Sequence, residues 1–190
     1  MHVIVKFDDR SFGKFQTKLA GLAARGPATM AQAMNAAGVI MHQATIAAET
    51  AQTGLTHATM ERAQRIREAS PSRLAFTISS KGGNVRLKYF GAQEGGGGVS
   101  AHPWAQSHFY HSAFITSGRQ GMRTPAAKLG GQVFEPAGDG NRRWWRKIKS
   151  RRSGLFIPTE MTKGSTKSAF DAHVAPMMSG IMTKLAGLMP

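Results

Sequence analysis

The side chains best able to do chemistry are basic and aromatic, and they are concentrated between Asn141 and Arg152. Basic side chains make salt-dependent contacts with phosphates, and aromatic rings stack on bases or pack against a partner protein. The segment contains no Asp or Glu, so we expect that no local ion pair neutralises its charge. The predicted contact residues are Arg142, Arg143, Trp144, Trp145, Arg146, Lys147, Lys149, Arg151 and Arg152.

Three interpretations of this segment remain open. It contacts nucleic acid directly, or it is a long hairpin that docks on an acidic protein ring, or it is a solvated loop. In the second interpretation Trp144 and Trp145 are buried anchors of the contact. We favour protein contact over nucleic acid, because no fold-level nucleic-acid-binding motif accompanies the basic residues.

Three histidines form the second candidate site. His102, His108 and His111 lie close together in the sequence, among aromatic residues, and a small metal-dependent hydrolase could use them. A metal site requires convergent ligands, usually completed by a carboxylate or a thiolate. No acid lies between Glu94 and Glu135, and on a strand His108 and His111 would point to opposite faces. We therefore predict no metal and interpret the three histidines as surface or interface residues.

The acidic residues form no catalytic pattern. Hydrolases use paired carboxylates, or a nucleophile activated by a base. The 10 acids are scattered, and only Asp8 and Asp9 are neighbours, where a helix cap is expected. No Gly-x-Ser-x-Gly elbow and no dinucleotide-binding motif is present. We predict that the protein is not an enzyme, with no catalytic residues and no cofactor.

The composition indicates a polyanionic partner. The 190 residues include 25 Lys and Arg but only 10 Asp and Glu, which gives a formal net charge of +15. Such a charge attracts nucleic acid, an acidic membrane surface or an acidic protein.

The absence of cysteine excludes a disulfide scaffold, a thiolate zinc site and a cysteine nucleophile. No apolar run is long enough to predict a membrane span, and we predict no membrane partner.

Helical spacing predicts three helices. The first is expected to be broken by Gly26-Pro27. An Ala- and Met-rich second helix follows from Met30 to Ala48, with Gly54 as its C-cap. The last helix is expected to begin near Thr162 and to be kinked at Pro176. Its predicted apolar face consists of Phe170, Val174, Met177, Ile181, Leu185 and Leu188.

Alternating apolar residues predict the strands. Val3 to Phe7 is expected to form the first strand, and Leu74 to Ile78 is expected to form a hairpin with Val85 to Tyr89. Ser112 to Thr116 and Gln132 to Glu135 complete a mixed or antiparallel sheet of about four strands. We predict a single α+β domain over residues 1–190, with this sheet packed against the Ala/Met-rich helix and the C-terminal helix.

Two long loops, one Gly-rich and one basic, are expected to be flexible. They cover residues 91–106 and 136–153, approximately. The four consecutive glycines from Gly95 to Gly98 do not fix one backbone conformation without partners.

The order of short motifs in the second half of the chain resembles one known family. Ser112-Ala-Phe-Ile115 and Gly131-Gln-Val-Phe-Glu135 are similar to two strands of the minor tail protein Z family, the tail completion proteins of long-tailed bacteriophages. Arg151-Arg-Ser-Gly-Leu-Phe-Ile-Pro158 is similar to the basic run and the Ile-Pro step before that family's last helix. Thr166-Lys-Ser-Ala-Phe170 resembles the start of that helix.

The resemblance implies a structural protein of the virion, assembled in the host cytoplasm. Proteins of this kind act at the head-proximal end of the tail, where the tail is finished and joined to the neck. The resemblance also implies a homo-oligomeric ring, commonly six-fold, around the DNA channel. Its implied partners are tail terminator, tail tube or neck proteins, with non-specific contact to DNA. The alternative function is a sequence-independent nucleic-acid-binding protein.

Overall fold

The computed structural model describes residues 9–117, 124–125, 130–137 and 148–188. Helices and short antiparallel strands both contribute to the fold, so the predicted α+β class is confirmed. The strand predicted from Val3 to Phe7 lies outside the described residues.

The α-helices in the described part of the chain are α1 (Asp9–Thr53), α2 (His57–Ala63), α3 (Ile157–Glu160) and α4 (Gly164–Ala186). Helix α1 is continuous over 45 residues, so the predicted break at Gly26-Pro27 is wrong. Pro27 removes one backbone donor, yet the helix continues through it, and Gly26 and Pro27 line an apolar cavity together with residues of α4. The predicted C-cap is confirmed, because Gly54 has a φ of 75° and donates its N–H to the Thr50 carbonyl at 2.9 Å.

The strands are short and belong to several sheets. Their bounds are β1 (Gln64–Arg67), β2 (Thr77–Ser80), β3 (Gln93–Gly95), β4 (Gly98–Ala101), β5 (His108–His111), β6 (Thr116–Ser117), β7 (Thr124–Pro125), β8 (Phe134–Pro136) and β9 (Ile148–Ser150). The described residues pair as β1-β2, β3-β4-β5, β6-β7 and β8-β9. One sheet of about four strands was expected. Among the described residues the largest sheet has three strands, and a 3-10 turn at Leu87–Phe90 takes the place of most of one predicted strand.

The hairpin predicted between Leu74–Ile78 and Val85–Tyr89 is wrong. Strand β2 pairs instead with β1, and the Ser80 hydroxyl donates to the Ala63 carbonyl at 2.9 Å. Most of the second predicted strand is a 3-10 turn, which places both Leu87 and Phe90 in the core.

The Gly-rich segment forms an ordered hairpin where a flexible loop was expected. Gly95 and Gly98 are cross-strand partners, and Gly96 and Gly97 between them have φ values of 60° and 81°. Two central residues with positive φ are typical of a type I′ turn, which matches the twist of paired strands. Of the second predicted loop, residues 148–150 form β9, and residues 138–147 lie outside the described residues.

Two compact units can be distinguished, and the prediction of one domain over residues 1–190 stays a prediction. The first unit comprises the described residues up to Gln43, residues 66–78 and those from Phe170 onward. Within it, the Asn35 side chain donates to the Ala69 carbonyl at 3.0 Å and accepts from the Ala69 N–H at 2.7 Å. Helices α1 and α4 line an apolar cavity of about 330 Å³ formed by Leu22, Gly26, Pro27, Met30, Met182, Leu185 and Ala186.

The second unit comprises the described residues of 44–65 and 79–169 and contains the hydrophobic core of the sheets. Helix α1 contributes Ile46 to this core, and α2 contributes Met60. The other buried members are Leu55, Leu87, Phe90, Val99, Ala101, Ala113, Val133, Leu155 and Ile157. Burial of these side chains fixes the positions of β8, β9 and the segments beside them.

Candidate functional site

The predicted basic and aromatic segment connects β8 to β9. These strands pair antiparallel, with Glu135 opposite Lys149 and Pro136 opposite Ile148, so the chain enters and leaves the connection at adjacent positions. A hairpin at this place was one of the open interpretations. Six of the predicted contact residues lie outside the described residues: Arg142, Arg143, Trp144, Trp145, Arg146 and Lys147. Lys149, Arg151 and Arg152 are described.

Lys149 and Arg151 share one carboxylate as their ion-pair partner. The Lys149 ammonium lies 3.1 Å from one oxygen of Glu135, and the Arg151 guanidinium lies 3.1 Å from the other. The expectation that these basic residues form no local ion pair is therefore wrong for Lys149 and Arg151. Sequence distance concealed the pair, because Glu135 is brought opposite Lys149 only by the register of β8 and β9.

Arg151 also contacts an aromatic ring. Its guanidinium lies 5.4 Å from the centre of the Tyr110 ring, within the range of a cation–π interaction. Burial raises the pKa of Tyr110, and the nearby charge of Arg151 acts in the opposite direction. Because Arg151 already contacts Glu135 and Tyr110, its guanidinium is less available to bind another partner.

Arg152 lies in a different environment, opposite Arg86. The two are cross-strand partners in an isolated antiparallel bridge, and we call them the arginine pair. Neighbouring hydrogen bonds hold the backbone in place, with the Ser153 N–H donating to the Val85 carbonyl at 3.0 Å and the Gly154 N–H to the Asn84 side-chain oxygen at 2.8 Å.

The arginine pair concentrates positive charge. Side chains directly opposite each other on paired strands have Cβ atoms about 5 Å apart, and like charges there are destabilising. Arg152 is exposed and donates to the Asn84 carbonyl at 3.0 Å. Among the residues that the structure describes, no carboxylate forms an ion pair with either arginine. An external anion, such as a phosphate or a carboxylate, would relieve this repulsion and accept hydrogen bonds from both guanidinium groups.

An aromatic side chain and a lysine follow Arg86 in the chain. The 3-10 turn Leu87–Phe90 begins directly after Arg86, and the Tyr89 N–H donates to the Arg86 carbonyl at 3.2 Å. Tyr89 is exposed, and the Lys88 ammonium lies 5.2 Å from the centre of its ring. An exposed ring beside cations is suited to stacking against a base or packing against a partner protein.

The three histidines do not converge. In β5 the half-buried His108 and the exposed His111 lie on opposite faces, as predicted. His102 precedes the 3-10 turn Pro103–Ala105 and donates its N–H to the Phe90 carbonyl at 3.0 Å. Within the described ranges, no group of three or more His, Cys, Asp or Glu residues could hold a metal ion.

The structure brings together two acids that the sequence does not associate. Glu49 of α1 is fully buried, and its carboxylate accepts a hydrogen bond from the Gln64 side chain. Glu160 of α3 is also buried and accepts hydrogen bonds from Gln52 at 2.8 Å and from the Trp104 ring N–H at 3.3 Å. Electrostatic repulsion from Glu160 contributes to raising the pKa of Glu49. No motif signals this pair, since its two members lie on separate helices.

The two carboxylates differ in their surroundings. Burial raises the pKa of Glu49 to about 7, opposed by the hydrogen bond from Gln64. For Glu160 burial acts in the same direction, but hydrogen bonds from Gln52, Lys163 and Trp104 outweigh it and lower the pKa. The Lys163 ammonium lies 2.9 Å from Glu160. Because both carboxylates are buried, we expect them to affect the stability of the fold rather than the binding of a partner.

None of the helices in the described part of the chain combines the length and apolar character that a membrane crossing requires. No family model matches this chain, and neither does any curated protein or solved structure compared with it.

Proposed function

We propose that this protein is a non-enzymatic structural subunit of a bacteriophage tail. In this function it completes the head-proximal end of the tail, as a homo-oligomeric ring around the DNA channel. Its partners are tail terminator, tail tube or neck proteins, and its basic residues contact acidic protein surface or the DNA that passes through the channel. Its location is the virion.

The arginine pair is the observation that carries this proposal. Arg86 and Arg152 are held opposite each other by a paired backbone, without a carboxylate partner among the described residues. A folded protein that maintains such repulsion gains from an external anion. The connection between β8 and β9 adds further Arg and Lys residues in sequence, and the resemblance of the second half to tail completion proteins supports the same partner class.

A sequence-independent nucleic-acid-binding protein is the second candidate. The exposed Tyr89 beside Lys88 favours it, because base stacking on an aromatic ring combined with nearby cations is how such proteins bind single strands. This function requires tight binding to DNA by the free protein. The tail function requires assembly with other virion proteins.

The dependence of binding on salt concentration distinguishes the two candidate functions. Each phosphate contact contributes a slope of about −0.9 to the logarithm of duplex DNA affinity against the logarithm of salt concentration. The mass of the purified protein, alone and mixed with tail tubes, should be measured together with a salt titration of DNA binding. Co-assembly with tail tubes that survives high salt supports the tail function. DNA binding by the monomer that falls steeply with salt, without co-assembly, would refute it in favour of the second candidate.

A matched pair of variants tests the arginine pair itself. Arg152→Gln removes an exposed cation without a carboxylate partner, and Lys149→Gln removes an exposed cation that is ion-paired with Glu135. We expect Arg152→Gln to weaken tail-tube or DNA binding by about tenfold, since charge-assisted hydrogen bonds contribute about 1.5–3 kcal/mol each. Lys149→Gln should change binding much less, because its ammonium is already ion-paired with Glu135. Equal effects of the two variants would contradict the assignment.

A further inference from the structure

The arginine pair belongs to a wider array of paired chain segments. Arg86 bridges Arg152, which follows β9 in the chain, and β9 pairs with β8. Phe134 of β8 in turn bridges Phe114. The segment of Arg86, the segment from β9 to Arg152, β8 and the segment of Phe114 therefore lie side by side. We call the side of this array that carries the arginine pair the arginine face.

Strand register places two aromatic rings on the arginine face. Side chains opposite each other on paired strands lie on the same side of a sheet, and so do residues two apart on one strand. Ser150 is two residues before Arg152 and lies opposite Phe134, and Phe134 also lies opposite Phe114. The arginine face thus carries one row with the arginine pair and a second row with Ser150, Phe134 and Phe114.

The neighbouring residues support this assignment, because they lie on the other side of the array. Val133, Val85 and Ile115 each adjoin a member of the arginine face in the chain, and each is buried in the hydrophobic core or packed against it. The pairing of β8 with β9 continues toward Arg152, since the Arg151 N–H donates to the Val133 carbonyl at 2.9 Å. The arginine face is therefore the side turned away from the hydrophobic core.

The two rows are close enough to meet one ligand. The rings of Phe114 and Phe134 have centroids 6.3 Å apart and planes inclined by 30°, and both side chains are only half-buried. Arg152 is the diagonal neighbour of Phe134 across the strands. Diagonal neighbours lie about 7–8 Å apart, within reach of aromatic and long side chains. A single ligand can therefore contact a guanidinium group and an aromatic ring together.

A nucleotide has the chemistry that both rows require. Its phosphate accepts hydrogen bonds from guanidinium groups, and the arginine pair has no carboxylate partner among the described residues. Its base is flat and stacks on an aromatic ring. The Asp and Glu side chains of an acidic protein would satisfy only the arginine row. Bases inside a duplex are stacked on each other and cannot reach a protein ring, so the nucleotide must be unpaired.

We propose that the arginine face binds unpaired nucleotides of a nucleic acid, with phosphates on the arginine pair and bases against Phe134 and Phe114. The inference rests on the proposed function, which assigns the arginine pair to an external anion, and it names the chemical class of that anion. Assembly with tail proteins does not require a base on these rings, so the inference and the proposed function can fail separately.

Fluorescence anisotropy with two labelled oligonucleotides tests the ligand. Oligothymidylate carries bases, whereas an abasic oligonucleotide of the same length carries the same phosphates without bases. We expect the wild-type protein to bind oligothymidylate about tenfold more tightly, an effect of the size that stacking on an aromatic ring produces. Added NaCl should weaken the binding of both, because both make phosphate contacts. This comparison needs no variant.

Phe134→Leu removes a ring and should weaken oligothymidylate binding about tenfold, without changing the binding of the abasic oligonucleotide. Phe134→Tyr keeps a ring and should bind both as the wild type does. Phe109→Leu is the matched control, because Phe109 is an exposed phenylalanine of β5, which belongs to another sheet. Arg152→Gln should weaken the binding of both oligonucleotides, since it removes a phosphate contact. Circular dichroism checks that each variant is folded.

Three outcomes would overturn the inference. The wild type binds the two oligonucleotides equally, or Phe134→Leu binds oligothymidylate as well as Phe109→Leu does. In the third outcome a poly-glutamate peptide binds more tightly than oligothymidylate and depends on Phe134, which would identify acidic protein as the ligand of this face. Co-assembly with tail tubes by a wild-type protein without base preference would leave the proposed function standing. Base preference without co-assembly would keep the arginine face as a nucleotide site and count against the tail function.

Discussion

Glu49 is a carboxylic acid without access to solvent, and it is 0% exposed. Its surroundings provide a hydrogen bond from Gln64, while one of its oxygens has no hydrogen-bond partner. Desolvation therefore dominates, and it raises the pKa of Glu49 from 4.5 to about 7. Glu160 shows the converse, since several donors hold its carboxylate in the charged form and lower its pKa.

These opposite shifts give opposite dependences of stability on pH. Between pH 4.5 and about 7 the unfolded chain has lost the Glu49 proton and the folded chain keeps it, so the free energy of unfolding falls as pH rises through this window. One pKa unit corresponds to about 1.4 kcal/mol, which limits the loss to about 3 kcal/mol. The contribution of Glu160 is present above pH 4.5 and is lost as pH falls below it, because its folded pKa is lowered.

Glu49→Gln tests this account of the buried acid. The variant keeps the shape of the side chain but cannot ionise, so we expect it to be more stable than the wild type at pH 8 and similar to it at pH 4.5. Urea unfolding at both pH values measures the difference. Glu61→Gln changes an exposed acid of α2 and should leave the pH dependence as in the wild type. A Glu49→Gln protein that loses stability between pH 5 and 8 as steeply as the wild type would show that another group is responsible.

At the scale of elements, the β3–β4 hairpin depends on close approach at one glycine. A Cβ atom on Gly98 would lie 2.4 Å from the Tyr110 carbonyl oxygen of β5 and 2.7 Å from the Phe109 ring. The carbonyl belongs to the backbone and cannot move without breaking the pairing of β4 with β5. Gly95 is the partner of Gly98 across the turn, and a Cβ there would meet no atom within 4 Å.

Gly98→Ala is therefore expected to destabilise the protein by about 1–3 kcal/mol, the usual cost of overpacking. Gly95→Ala is the matched control, at the other end of the same hairpin, and should change stability by less than about 0.5 kcal/mol. Thermal unfolding of both variants measures the two effects. Equal stability of the two variants would mean that β4 and β5 are not as closely packed as the structure describes.

Helices were predicted better than strands, for a physical reason. The spacing of apolar residues along α1 and the Gly54 cap are local signals, and both match the structure. The break expected at Gly26-Pro27 was wrong, since α1 continues through both residues, which line the apolar cavity together with α4. The pairing of β2 with β1 was missed, because alternation shows that a segment is extended but does not identify its partner.

The candidate site was predicted only in part for the same reason. The density of Arg, Lys and Trp around Asn141 to Arg152 is visible in the sequence, and so is the excess of positive charge. The ion pairs of Lys149 and Arg151 with Glu135 depend on strand register, which the sequence does not state. Arg86 was not predicted as a contact residue, because its segment is far from Arg152 in the sequence. The hydrogen bond from Arg152 to Asn84, for example, joins residues 68 positions apart.

At the scale of the whole molecule, net charge competes with local ion pairs. A net charge of +15 destabilises the compact state through self-repulsion. The ion pairs of Glu135 with Lys149 and Arg151 and of Glu160 with Lys163 act in the other direction. The pairs of Glu135 involve exposed cations, and surface ion pairs of this kind contribute little, about 0–1 kcal/mol each. Self-repulsion should therefore dominate the response to salt.

We accordingly expect added NaCl to raise the melting temperature of the wild-type protein, because screening reduces repulsion among its uncompensated cations. At low salt, short duplex DNA should raise the melting temperature further, by binding the folded state at sites such as the arginine pair. This second increase should shrink as NaCl is added, since counterion release weakens DNA binding. Differential scanning calorimetry with and without DNA, at several NaCl concentrations, measures both effects.

Two variants, Arg152→Gln and Lys149→Gln, test which cations cause these changes in melting temperature. Arg152→Gln removes a charge that no described carboxylate compensates, so it should raise the melting temperature without DNA and reduce the increase that DNA causes. Lys149→Gln also removes a charge but breaks an ion pair, so its two effects should nearly cancel in the absence of DNA. A wild-type melting temperature that falls with NaCl would mean that the ion pairs outweigh the repulsion. In that case repulsion at the arginine pair would not destabilise the folded protein, and an anionic partner would have no such repulsion to relieve.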